Sequence, residues 1–360
     1  MSNEQQPNNA EGTPAAKPRK SEQIPATEEI VEVAPGILRT QLPIDFTGLG
    51  HVNMYVLEDE RGVAVVDPGL PTRESWNAIR KRLKDIGVPM KRVHSIIVTH
   101  SHPDHYGGAA RLRAHSGAEL VGHKLFRTWW DPKEPPDLDV EDMPRRFHHP
   151  FRSPPWGGPV LDFSVTYKLR YVAKSKMPRL FRIPRPTVRL GENDRIRFAR
   201  REWLAIHTPG HTEDHLCLFD PEEGTLITGD HILPSITPHI SGLTGHGDPL
   251  SLFFQSLDKV NVLSPQVKIA LPAHGTPFTN LNERVEHIKV HHDDRLKKLI
   301  TTSEELGRPA NVMEFSQHLF SPRVQGPMAH SETFAHLEHL RLAGNFERRD
   351  NNGVFEYVTQ

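Results

Sequence analysis

The chain is almost without cysteine: Cys217 is the single thiol among 360 residues. An intrachain disulfide framework is therefore excluded, and so is any metal site built on several thiolates. Long apolar runs are missing too. Nothing approaches the ~18–20 consecutive apolar residues that a bilayer-spanning helix needs. The N-terminal stretch MSNEQQPNNAEGTPAAKPRKSEQIPATEE has no apolar core of the kind a secretory leader carries. Aromatic residues are sparse at 7%, and 44 Lys and Arg stand against 45 Asp and Glu, a formal net charge of −1. These absences leave a cytoplasmic enzyme or binding protein as the expectation, with a length suited to one large domain or two.

Histidine is what the chain has in excess, with 23 residues against five Trp and five Tyr. It is the commonest metal ligand and titrates nearest neutral pH, so what matters is whether these residues cluster. Residues 1–27 hold almost no bulky apolar side chain and are expected to be a disordered tail. From Glu28 onward, IVEVAPGILRTQLPI and VNMYVLEDERGVAVVDPG read as short strands broken by turns. Residues 74–84 have the spacing of an amphipathic helix with Trp76, Ile79 and Leu83 on one stripe. RVHSIIVT at 92–99 reads as a buried strand, and 107–115 opens the next helix. This alternation argues α/β layers. Strand texture returns at 202–206, 216–219, 225–228 and 268–271. Beyond Asn280 the pattern turns helical, with Val285, Ile288, Leu296 and Leu299 on one face and further helices at 311–320 and 331–344. NFERRDNNGVFEYVT then reads as a hairpin turning at Asn-Gly. Residues 281–360 thus outline a small winged-helix-like module after a body at 28–280.

The balanced charge conceals a basic block. Residues 168–201 carry twelve Lys and Arg against Glu192 and Asp194, a net of +10, so the rest of the chain sums to −11. The block lies in a Pro- and Arg-rich insertion at about 140–200 whose periodicity is weak.

The histidines do cluster. The strand at 92–99 runs into THSHPDHYGG, which places His100, His102, Asp104 and His105 within six residues. By chance a His-x-His-x-Asp-His pattern arises roughly 0.005 times in a chain of this composition. Where a strand gives way to a turn, alternate residues converge on one point, and the next pair can turn towards a second. Imidazole with carboxylate suits Zn²⁺, with Fe or Mn as other occupants. His211 in HTPGHTEDH, Asp230 in LITGDHIL and His274 in IALPAHGTPF each follow an apolar run at an expected strand end.

In these residues, and in their order from Asp67 in VVDPG through the cluster to TPGHT, TGD and AHG, the chain resembles the metallo-β-lactamase superfamily. The resemblance covers about 28–280 and implies an αββα sandwich, two sheets with helices outside and a dinuclear site at one edge. It implies one metal on His100, His102 and His211, a second on Asp104, His105 and His274, and Asp230 between them. Asp67 would hold a ligand in place, and His215 would lie near the metals, against substrate or in a structural role. The His-x-His-x-Asp-His cluster departs from the redox branch of the family, which has Glu in place of the second histidine. The tail resembles the branch with a C-terminal winged helix, which includes ester and thioester hydrolases and single-strand endoribonucleases.

No Gly-x-Ser-x-Gly elbow or Walker loop is present. A water shared by two divalent ions loses its proton near neutral pH, which suffices for hydrolysis, and Asp104 is the candidate to orient it and pass on its proton. The first expectation is a hydrolase of an ester or thioester such as an acyl-coenzyme A. The second is an endonuclease of single-stranded RNA, and the third a nucleic-acid-binding regulator. The basic block would act as a lid favouring an anionic small-molecule substrate or RNA, as a surface for anionic lipid, or merely as a solvated insertion paired with acids. Trp129, Trp130 and Trp156 are candidates for a substrate pocket or for core packing. The stretch SETFAHLEHLRLAGN, with one Arg against two Glu, is poor in the charge that phosphate contacts need.

Overall fold

The computed structural model describes residues 19–46, 48–128, 153–157, 164–176, 184–244 and 247–360. Its elements begin with four antiparallel strands, β1 (Ile30–Ala34), β2 (Ile37–Phe46), β3 (Leu49–Asp59) and β4 (Gly62–Val66). Helix α1 (Arg73–Asp85) leads to β5 (Val93–Ile97), and the short α2 (Pro103–Tyr106) with α3 (Ala109–Ser116) leads to β6 (Glu119–His123). After α4 (Val165–Lys176), β7 (Val188–Leu190) completes a seven-stranded sheet whose last four strands are parallel. The second sheet holds β8 (Arg195–Phe198), β9 (Arg201–His207), β10 (Leu216–Asp220), β11 (Thr225–Gly229) and, after α5 (Pro249–Asn261), the parallel β12 (Ile269–Pro272).

The layers follow from period-two burial along each strand. In β4, Ala64 and Val66 face the second sheet, meeting Trp203, Leu216, Leu218 and Ile227, while Val63 and Val65 face the outer helices. Those helices present Trp76, Ile79 and Leu83 from α1 and Leu112 from α3, the stripe expected at 74–84. Burying each such side chain contributes roughly 1.5–3 kcal/mol. Thr72 caps α1 by accepting from the Ser75 amide at 3.1 Å. On the far side, Cys217, Phe219 and Leu226 pack against Leu250, Phe253 and Leu257 of α5. The result is an αββα sandwich, with Cys217 a buried free thiol.

Helix α6 (Leu281–Leu306) belongs to two cores: Val285 and Ile288 pack on the sandwich, and Leu299 on the C-terminal unit. That unit continues with β13 (Ala310–Asn311), α7 (Val312–Leu319), α8 (Pro327–Leu342), β14 (Phe346–Asn351) and β15 (Val354–Thr359). The hairpin turns at Asn352-Gly353 with positive φ at both residues, as a two-residue loop requires, and β13 pairs with β15. No helix among the described residues is long and apolar enough to cross a membrane.

Two expectations are corrected by these elements. The tail does not extend to residue 27: among residues 19–27 Glu22 is fully buried, accepting from the amides of Ser235 (2.7 Å) and Ile236 (3.0 Å). An acid surrounded by amides from a segment 213 residues away has no local signature. The basic insertion does not extend to 200, because β7 and β8 begin at Val188 and Arg195, and its later arginines are paired within the fold. Arg201 binds the buried Asp220 at 2.8 Å, and Arg200 pairs with Glu60 at 2.7 Å. For Trp156 the core-packing reading holds: it is buried in the C-terminal core against Phe334. Trp129 and Trp130 lie outside the described residues.

Candidate metal centre

The expected site residues gather where strands of both sheets end. Asp67 follows β4, with His100 to His105 after β5, His211 after β9, Asp230 after β11 and His274 after β12. They fall into two groups, His100, His102, His211 and Asp230 in one and Asp104, His105 and His274 in the other, with the donor atoms of each group within 4.8 Å of one another. Asp230 links the groups: its carboxylate lies 3.6 Å from His211 Nε2, 3.5 Å from His105 Nε2 and 3.3 Å from His274 Nε2. His102 Nδ1 stands 3.0 Å from His100 Nε2 and 3.1 Å from His211 Nε2. All seven are buried except His102, which is half-buried and marks the open side.

The backbone and the groups behind the site fix which nitrogen each imidazole presents. Asp67 adopts φ +51°, a left-handed conformation that Asp tolerates better than most residues. Its carboxylate accepts from the Thr99 amide (2.9 Å), the Thr99 hydroxyl (2.8 Å) and His105 Nδ1 (2.8 Å). His105 is thereby turned with Nε2 inward. His100 donates Nδ1–H to Thr99 Oγ1 at 3.0 Å, His211 to the carbonyl of His239 at 2.6 Å and His274 to the carbonyl of His51 at 2.6 Å. Such outer partners set tautomer and ring orientation at metal sites.

His215 is fully buried and has no face for substrate. It donates Nδ1–H to Thr208 Oγ1 (2.7 Å) and accepts the Asp230 amide at Nε2 (3.0 Å), so it holds the backbone of the linking carboxylate. Gly229, at φ +51°, is glycine for the same reason: a Cβ there would come 2.6 Å from that imidazole. Sequence reasoning missed His51 and His239, whose contributions to the ligands are carbonyl oxygens that any residue possesses.

Electrostatics divide the two groups. Burial drives His100, His102 and His211 towards the neutral imidazole, with His102 brought down to about 3 by burial and by the neighbouring His211. In the other group burial opposes charge but the carboxylates prevail: Asp104, Asp230 and Asp67 hold His105 well above its ordinary value, and Asp230 with Asp104 pushes His274 up to about 10. Burial likewise opposes ionisation of Asp104 and Asp230, and His105 and His274 overcome it.

The donor set fits divalent metal. His105 Nε2, His274 Nε2 and Asp230 Oδ1 are buried, converge on one point and form no hydrogen bond. Each unsatisfied buried group costs about 1–3 kcal/mol, and a shared cation would satisfy all three at once. Imidazole and carboxylate without thiolate suit Zn²⁺, Fe or Mn.

Known proteins agree with this reading of the fold. Residues 47–274 match the family model of the metallo-beta-lactamase superfamily. The probable metallo-hydrolase YqjP of Bacillus subtilis is 25% identical over 318 residues, covering 84% of this chain and 92% of the relative. An atrochrysone carboxyl ACP thioesterase of Passalora fulva is 29% identical over 268 residues, covering 72% of this chain but only 59% of that protein. The crystal structure of a metallo-beta-lactamase family protein from Thermus thermophilus superposes with a TM-score of 0.69 at 27% identity, covering 91% of this chain and all of that one. With this match across the sandwich and the site in which its loops converge, the chain belongs to the metallo-beta-lactamase superfamily of metal-dependent hydrolases.

Proposed function

We propose that this chain is a dinuclear hydrolase of an acyl ester or thioester of the acyl-coenzyme A kind, with Zn²⁺ as the preferred metal. His100, His102 and His211 would hold one ion, Asp104, His105 and His274 the other, and Asp230 would bridge them. The observation that carries the reading is the convergence of three unsatisfied buried donors between two groups of ligands. The ions would supply Lewis acidity and an activated water. The chain's own residues do the rest. Asp104 would accept a hydrogen bond from the attacking water, orient it and pass on its proton. Asp67 and the His51 and His239 carbonyls fix the imidazoles, so little reorganisation accompanies the reaction. Substrate approaches past the half-buried His102.

The thioester choice is supported by the thioesterase among the relatives. The regulator reading loses its helix, since α8 is buried along most of its length, including Ala335, Leu337 and Leu340. The test is hydrolysis of acyl-coenzyme A and of single-stranded RNA, offered separately before and after metal removal, with D104A as the blank. Metal-dependent thiol release without RNA cleavage is expected. RNA cleavage alone would move the chain to the nuclease reading, and silence with both would overturn the substrate class.

A further inference from the structure

A hydrogen-bonded path leaves the candidate ligand His211 and ends in the C-terminal unit. His211 Nδ1–H donates to the His239 carbonyl at 2.6 Å, which leaves Nε2 aimed at His102 and Asp230. The ring of the same His239 donates from Nδ1 to Glu332 Oε2 at 3.3 Å. Glu332 is buried on α8, and the Arg295 guanidinium of α6 binds its other oxygen. The grip extends along the loop: the Gly242 amide donates to the Ser331 carbonyl at 3.1 Å, and the Ser241 and Ser331 hydroxyls meet at 3.2 Å. One residue, His239, thus turns its carbonyl to the metal centre and its ring to α8.

We propose that Glu332 is a positioning residue for His211, acting through His239, so that the C-terminal unit holds one side of the metal centre in register. The proposal rests on the metal-centre reading above. Charge-assisted bonds from Arg295 and His239 make Glu332 a firmer anchor than a neutral side chain, and a carbonyl that shifts takes the imidazole with it. The surrounding cluster of His292, Glu332 and His336 is a network and not a third ion site. His336 donates Nδ1–H to the Glu332 carbonyl at 2.7 Å and accepts from His292 Nδ1 at 3.0 Å, and Arg295 already neutralises the carboxylate. His292 Nε2 is left without a hydrogen bond, and an ion bound at Nδ1 would leave it equally so.

The test is titration of the metal-free full chain with Zn²⁺ or Co²⁺, following stoichiometry and the affinity of each ion, with far-UV circular dichroism as the check on folding. Wild type is expected to take two ions, and H211A identifies the one that needs His211. E332Q should weaken that ion by about 10–100-fold and leave the other in place. H239A keeps the carbonyl but loses the anchor, so it should weaken the same ion, and the double variant should be little worse than either single one. If E332Q does not fold, H239A decides. E314Q, which removes the ion pair with Arg308 in the same unit, should leave both ions bound as in wild type. Retention of both ions at wild-type affinity in E332Q and H239A, with one lost in H211A, would overturn the relay alone. Fewer than two ions in wild type, or none lost in H211A, would overturn the metal-centre reading and the relay with it. A third tight ion, absent from H292Q, would overturn the network reading of Glu332.

Discussion

Among the described residues stand two clusters of buried histidine and carboxylate, one where the sandwich loops meet and one between α6 and α8. Both place imidazole nitrogens about 3.0 Å apart, His100 against His102 in the first and His292 against His336 in the second. Their composition is nearly the same and their bookkeeping is opposite. In the loop cluster the outward nitrogens of His100, His105, His211 and His274 are engaged by Asp67, Thr99 and backbone carbonyls, while the inward donors of His105, His274 and Asp230 find no hydrogen bond. In the helical cluster the carboxylate already has a guanidinium, and the facing nitrogens pair with each other. Residue type alone therefore does not distinguish a metal site from a polar core. What distinguishes them is which nitrogen is left over and whether a positive charge is already present.

That contrast can be broken most severely at Asp230, the residue both groups of ligands share. D230A should lose both ions and fall to the activity of metal-free protein; retention of either ion, read by elemental analysis of the purified variant, would contradict the bridging role. Next comes D104A, in which turnover is expected to drop by about 10²–10⁴-fold with circular dichroism unchanged. Near wild-type turnover with full metal content would remove Asp104 from the chemistry. D67N replaces an acceptor with an amide that can point a donor at His105 Nδ1–H, so the ion on that side should bind about 10–100-fold more weakly.

Proton release sharpens the same comparison. In the metal-free protein His274 is raised to about 10 and His105 lies well above its ordinary value, so both carry protons at pH 7. A metal must displace them, and affinity should therefore rise with pH through neutrality towards about 10. Calorimetry in two buffers of different ionisation heat should show proton release on uptake, and identical heats would contradict it. The smallest effect belongs to the helical cluster. H292Q should cost about 1–3 kcal/mol of stability in denaturant unfolding, with two ions still bound.

Much of this was legible in sequence because it is local. The stripe of Trp76, Ile79 and Leu83, the strand leading into THSHPDHYGG, and the Asn-Gly hairpin each declare themselves within a dozen residues. The candidate ligands were legible for a related reason, as each ends a strand whose apolar run announces it. What was hidden depends on partners far along the chain or on groups without side-chain identity. Glu22 meets Ser235 across 213 residues, and Asn53 reaches the Pro272 carbonyl across 219. The carbonyls of His51 and His239 orient ligands while their side chains do other work. Arg200 and Arg201 read as part of a basic lid because their acids, Glu60 and Asp220, come from other strands or turns. Helix α6 reads as the start of a second domain, yet its first half completes the core of the first.

The most direct measurement is anomalous diffraction at the zinc edge from crystals grown with Zn²⁺. Two peaks about 3.5–4 Å apart, flanking Asp230 and surrounded by the six other ligands, with none between His292, Glu332 and His336, are the expected result. A single peak at the loop cluster would contradict the dinuclear reading, and a peak in the helical one would contradict the distinction drawn between them.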